Sequence, residues 1–304
     1  VTIPAATNPR HQRRFHLIHA IRGMIAAARH DEPSIISMVM EARMDPNTLP
    51  RAIALQFDTG EIVYPAGGQP VSRAYSYTGS GLRCFGKTTD FLDDPRYRRA
   101  HARGWAGGGK KTRHIDDNRW IVHVALWAAS QAARLPGDFV ECGVDTGMMS
   151  LAICDWLEFG GLDKDFWLFD TYGGIPDAQM TDAERNGIGG WHNREAYEEC
   201  FAQAVANFAP WPRCRLVRGM VPDTLAEFPA DRRVAYLSID MNIVLPEIAA
   251  IEFFWDRLVP GAVVLLDDYG WSTHTAQKAA FDEFARAHGM MILNLPTGQG
   301  LIVR

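Results

Sequence analysis

The chain has no cysteine pair at C-x-x-C spacing, and its five cysteines (Cys84, Cys142, Cys154, Cys200, Cys214) are an odd number. That excludes a thiolate zinc site and argues for a reduced, intracellular protein. No apolar run approaches the ~18 residues that a membrane span requires. There is no basic excess either: 31 Lys and Arg stand against 36 Asp and Glu, for a formal net charge of −5. A general nucleic-acid binder would normally be basic. The opening stretch lacks a clean apolar signal core and cleavage pattern, so secretion is not supported and the cytoplasm is the expected compartment. Repeats and low-complexity tracts are absent, and so is the G-x-G-x-x-G turn of dinucleotide enzymes.

What remains is an ordinary globular balance, 47% hydrophobic and 22% charged over 304 residues. That is enough for one large α/β domain with a sizeable addition. The first third reads as irregular, with a helix expected over 15–28, a solvated basic cluster at Arg10–Arg14 and short extended pieces over 51–63. Ala106-Gly107-Gly108-Gly109-Lys110-Lys111 reads as a flexible join or lid. The boundary is therefore placed between an N-terminal extension, 1–114, serving as lid, substrate or oligomer segment, and a domain at 115–304.

From there β and α patterns alternate. Strands are expected at 138–144, 165–171, 214–220, 234–240 and 261–268. Helices are expected at 120–135, 147–159, 195–208, 246–258 and 273–288. A closing hairpin turns at Thr297-Gly298-Gln299-Gly300. This alternation implies α/β architecture: a Rossmann-like, doubly wound, seven-stranded sheet with a terminal β-hairpin. In such sheets ligands bind beyond the carboxyl ends of the strands.

The candidate residues sit at those ends. The first strand runs into Glu141-Cys142-Gly143-Val144-Asp145-Thr146-Gly147, where glycines let the backbone approach a bulky ligand. A pyrophosphate disfavours the nearby Glu141, whereas a sulfonium with an α-amino group tolerates it. Asp170, ending the second strand before Thr171, can accept both hydroxyls of a ribose. Asp240 ends the fourth strand, and Asp267-Asp268 the fifth. Three crowded acids repel one another unless a hard divalent cation joins them, and Asn242 could add a neutral oxygen. Asp170 could instead cap a helix, and Asp267 or Asp268 the turn that follows.

The runs Phe139-Val140-Glu141-Cys142-Gly143, Phe169-Asp170-Thr171-Tyr172-Gly173-Gly174-Ile175-Pro176-Asp177, Arg218-Gly219-Met220-Val221-Pro222-Asp223-Thr224-Leu225 and Leu266-Asp267-Asp268-Tyr269-Gly270 resemble the macrocin O-methyltransferase family. The resemblance spans 115–304. It implies S-adenosylmethionine and Mg²⁺, or another divalent cation, and methylation of a hydroxyl on a sugar or other small natural product. By that resemblance Glu141 and Gly143 line the methionine part of the cofactor, Asp170 binds its ribose, and Asp240, Asp267 and Asp268 hold the metal. Cys142, Thr146, Gly147, Thr171, Arg218, Gly219 and Asp240 complete the expected cofactor contacts. One departure stands out. The family's Asp-Gly-Asp-Leu-Tyr followed by Ser-Thr is here Asp240-Met241-Asn242-Ile243-Val244-Leu245-Pro246, so the second acid, the tyrosine and the hydroxyls are gone.

The expected reaction is in-line attack of a hydroxyl on the sulfonium methyl, with Asp240, His192 or His274 as general base. Expected partners are a hydroxyl-bearing small molecule and, through the N-terminal segment, a second copy of the chain; neither nucleic acid nor membrane is expected. Two other readings are carried: a catalytically impaired methyltransferase-like binding protein, motivated by the altered run after Asp240, and an NAD-type oxidoreductase.

Overall fold

The computed structural model describes residues 75–304 together with two dipeptide strands, β1 (Leu55–Gln56) and β2 (Ile62–Val63), which pair antiparallel. The helix expected over 15–28 and the basic cluster Arg10–Arg14 lie outside the described residues. Contacts divide the chain into two compact units, 1–74 and 75–304, and the second holds everything that follows. Among the described residues no helix is long and apolar enough to cross a membrane.

Unit 75–304 opens with a hairpin, β3 (Tyr75–Gly79) and β4 (Leu82–Phe85). Its frame is a seven-stranded sheet. The five parallel strands are β5 (Asp138–Cys142), β6 (Phe166–Asp170), β7 (Cys214–Arg218), β8 (Val234–Ile239) and β9 (Leu258–Leu266). The closing hairpin, β10 (Leu293–Asn294) and β11 (Gly300–Val303), sets β11 antiparallel against β9. The spatial order is β10-β11-β9-β8-β5-β6-β7. The Rossmann-like sheet with a terminal hairpin is thus present.

Strand alternation divides the sheet's side chains between two cores. Phe139, Leu168 and Tyr236 pack with helices α1 (Pro95–Gly107), α2 (Arg119–Ala132) and α3 (Met148–Leu157). Val140, Phe169 and Leu237 pack on the other face. Their partners there are α7 (Val244–Trp255) and α8 (Thr275–Ala287), which follow α4 (Asp182–Asn186), α5 (Ile188–Trp191) and α6 (Phe201–Phe208) in the chain. Because β5 is flanked by β6 on one side and β8 on the other, the chain order reverses between β5 and β8. The crossovers diverge there and leave a crevice at the strand ends.

Three local expectations are corrected. The Ala106–Lys111 stretch is not a flexible join: Ala106 and Gly107 end α1, and Lys110–His114 form a 3₁₀ turn. Helix α1 itself escaped the pattern because its buried stripe is Tyr97, Ala100, Gly104 and Gly107, too small to read as apolar periodicity. Gly104 is required by close approach, since a Cβ there would stand 2.3 Å from the Met148 carbonyl oxygen. Residues 75–114 consequently pack in the same unit as the sheet. The helix expected over 195–208 is only α6: Asn193 grips the Ile175 backbone through both its amide atoms and holds 192–196 as a π-helical turn with Tyr197 extended.

At the end of the sheet away from the crevice, Arg232 donates to both carboxylate oxygens of buried Asp138, at 2.7 and 2.6 Å. Asp138 also accepts from Asp165 N (3.0 Å) and Trp167 Nε1 (3.2 Å), so it retains partners if Arg232 is lost. Arg232→Ala should therefore cost only about 1–3 kcal/mol of stability. Urea unfolding measures it, and an unshifted midpoint would show that the pair contributes nothing net.

Candidate active site

The turn after β5 touches the end of β8. Gly143 has φ +93°, and a Cβ there would fall 1.9 Å from the Asp240 carbonyl oxygen, so no other residue fits. Asp170 anchors the same turn. Its Oδ2 accepts from Val144 N (2.5 Å) and Asp145 N (2.7 Å), and its Oδ1 from Tyr172 N (2.6 Å). A capping role and a place in the cleft therefore coincide in one carboxylate.

Two clefts open along the strand ends. The first, about 590 Å³, is walled by Gly143, Asp170, Thr171, Gly219, Met241 and Ile243. The second, about 1260 Å³, is walled by Glu141, Trp191, His192, Asp267, Asp268, Trp271 and His274. Lys111, Tyr197, Asp240 and Asn242 belong to both.

The acids meet where the clefts join. Burial, and then repulsion from Asp267, push the Asp240 carboxyl well above the ordinary range. Burial and Asp267 do the same to Asp268, and burial raises Asp267. Glu141 is also raised by burial and then by Asp240, and it accepts a hydrogen bond from Ser150. Such shifts mark carboxylates that cannot all ionise without a counter-cation. Gln299 Nε2 donates to Asp267 Oδ1 at 3.1 Å. Among the described residues buried Asp268 Oδ2 has no hydrogen-bond partner, and neither has His274 Nε2, 3.6 Å away. This unfilled oxygen and the hard, all-oxygen donor set suit a divalent cation. Yet among the described residues no group of three or more His, Cys, Asp or Glu is set to hold a metal ion as it stands.

Asn242 does not offer its oxygen to the cluster. Its Nδ2 donates to Asp240 Oδ1 (3.1 Å) and to Tyr197 Oη (3.0 Å), so the residue replacing the second acid is a donor that steadies the first. His192 and His274 face the second cleft with ring centroids 6.3 Å apart, and burial pushes both down to about 4. At such values both are neutral at pH 7 though weak as bases, and His192 Nδ1 has no hydrogen-bond partner among the described residues.

Other expected cofactor contacts lie elsewhere. Cys142 points into the core beside Val140 and Phe169, because alternation turns it away from Glu141. Thr146 is buried and its carbonyl accepts from Asn207, while Gly147 is where it is because a Cβ would strike Phe208 at 2.4 Å. Arg218 is half exposed, paired with Glu199 at 2.8 Å and laid over Phe201, lining neither cleft. Lys111 and Tyr197 were not anticipated. Each reaches the site from a segment whose fold the linear pattern misread.

The sequence matches the macrocin O-methyltransferase family over residues 115–293. A curated relative from Streptomyces olivaceus is the 8-demethyl-8-(2,3-dimethoxy-alpha-L-rhamnosyl)-tetracenomycin-C 4'-O-methyltransferase. It is 28% identical over 171 residues, or 52% of this chain, and the chain spans 60% of that relative's length. Two solved structures share the fold. The O-methyltransferase NovP is 20% identical over 60% of this chain and 78% of its own, with a TM-score of 0.51. The calicheamicin methyltransferase CalS11 is 18% identical over 78% and 98%, with a TM-score of 0.52. Glu141, Asp170, Asp240, Asp267 and Asp268 all fall inside the matched region, and this chain belongs to the macrocin O-methyltransferase family.

Proposed function

We propose that this chain transfers a methyl group from S-adenosylmethionine to a hydroxyl of a sugar-bearing small natural product, with a divalent cation such as Mg²⁺ held by Asp240, Asp267 and Asp268. The observation that carries this reading is the junction of the two clefts at Asp240, Lys111, Tyr197 and Asn242. A donor in the first cleft and an acceptor in the second would meet there, beside the acids. Family membership and the sugar-directed relative support the reaction class and the acceptor class.

In this reading Asp170 fixes the turn that receives the cofactor, and with three backbone N–H groups already on its carboxylate it has about one acceptor site left on Oδ1 for a ribose hydroxyl. Gly143 leaves its backbone open to the amino-acid end. Asn242 and Tyr197 hold Asp240 in one orientation. A divalent cation, when bound, would offset two of the three carboxylate charges and lower the pKa of an acceptor hydroxyl. His192 and His274, both neutral, are placed to take the proton from that hydroxyl, with Asp240 as the alternative acceptor. Alignment of donor and acceptor across the junction would supply the largest share of the rate, roughly 7–11 kcal/mol in favourable cases.

A second reading, binding without turnover, is favoured by the absence among the described residues of a ready metal-holding group. The two separate by calorimetry followed by turnover. S-adenosylhomocysteine should bind at micromolar affinity, NAD⁺ should not, and methyl transfer to rhamnosylated acceptors should follow. Asp170→Asn should weaken the S-adenosylhomocysteine complex by about 10–100-fold, as expected for losing charged hydrogen bonds. Preference for NAD⁺, or wild-type affinity in the Asp170 variant, would reject the assignment of the first cleft.

A further inference from the structure

We infer that Lys111 is a tethered counter-cation of the acid cluster, competing with a divalent ion for Asp240. The inference rests on the metal reading proposed above.

The placement of Lys111 is built in. Its 3₁₀ turn follows α1 directly and is pinned on two sides. On one, a Cβ at Gly109 would stand 2.8 Å from the Thr146 side chain, so the segment lies flat against the β5–α3 turn. On the other, Lys110 Nζ donates to the Arg194 carbonyl at 2.9 Å, and His114 Nε2 stands 3.0 Å from the Glu195 carbonyl. Between these anchors the Lys111 side chain runs inward and is 18% exposed. Its ammonium stands 3.9 Å from Asp240 Oδ2, an ion pair longer than a hydrogen bond. Its three N–H donors thus face the junction with no shorter partner among the described residues.

The ammonium shares the wall of both clefts with Asp240 and stands on the same side of the junction as that carboxylate. One ammonium cannot balance Asp240, Asp267 and Asp268, so the cluster keeps an appetite for positive charge. A divalent ion arriving at Asp240 nevertheless meets a like charge already in place. Either the flexible lysine stem withdraws or the ion binds more weakly. Metal affinity is therefore set partly by a residue that is not a ligand.

The test is Mn²⁺ binding to the full chain, read by calorimetry, for wild type, Lys111→Met and Lys111→Arg. The methionine variant should bind Mn²⁺ about tenfold or more tightly than wild type, and the arginine variant like wild type. Lys111→Gln replaces the methionine variant if that one does not fold, as judged by far-UV circular dichroism and a cooperative thermal melt. Equal affinity in all three proteins, weaker binding without the lysine, or tightening in the arginine variant too would overturn the inference while leaving the metal site standing. No Mn²⁺ bound by any of them at millimolar concentration would remove the metal reading itself, and the competition with it.

Discussion

Asp267→Ala should lower kcat/KM for Mg²⁺-supported methyl transfer by on the order of 10²–10³-fold, the scale of losing one preorganised electrostatic group. Affinity for S-adenosylhomocysteine should change by no more than about twofold, as for a substitution remote from that ligand. The separation follows from placement. Asp267 lines the second cleft and not the first, and among the described residues its carboxylate accepts one hydrogen bond, from Gln299 at 3.1 Å. Truncation also relieves the repulsion that Asp267 exerts on Asp240 and Asp268, so the metal-free variant should be no less stable than wild type. Steady-state kinetics across a Mg²⁺ series, calorimetry and thermal melts read the three effects. Wild-type kcat/KM at saturating Mg²⁺ would reject the metal assignment, whereas parallel loss of cofactor binding would mean that the two clefts are not separable.

Glu247→Gln should remove part of the pH dependence of stability. Glu247 is buried in the first turns of α7, where its Oε1 accepts from Asn242 N (2.8 Å) and Met241 N (3.1 Å) and so shapes the loop carrying Asp240. Burial, and then Asp240, push its carboxyl from 4.5 up to about 8, against the opposing pull of those two N–H groups. Between those values the folded protein holds a proton that the unfolded chain releases, so stability falls as pH rises through that window. The full loss is roughly 3–5 kcal/mol for this one group. Glutamine keeps the accepting oxygen and cannot ionise. The Tm difference, variant minus wild type, should grow by on the order of 10 °C between pH 5 and pH 8.5. Asp240, Asp267 and Asp268 are shifted the same way, so the variant retains a slope, and Mn²⁺ should flatten that remainder. A Tm difference that stays constant with pH would mean Glu247 is ionised in the folded state throughout.

The central strands were legible because burial on both faces writes itself as continuous apolar runs. Strands β5, β6, β8 and β9 were expected within a few residues of where they lie, each carrying at or just beyond its carboxyl end the acid that the sequence singled out. Helix α1 was not legible, since glycines and an alanine form its contact stripe and arginines dominate its composition. The Cys142 side chain faces the core because a strand that turns Glu141 toward the cleft turns its neighbour away.

The sequence by itself determined the sheet, its closing hairpin, the glycine that the β5 turn requires, and which strand ends carry acids, because each follows from local periodicity and backbone freedom. Only the tertiary structure decided that these ends form two clefts sharing one wall. It alone brought Lys111, Tyr197 and Gln299 to the acids and turned Arg218 outward to Glu199. It also decided the protonation of the site. Charge repulsion and desolvation depend on through-space distance and burial, and those are settled by crossovers between segments far apart in the chain.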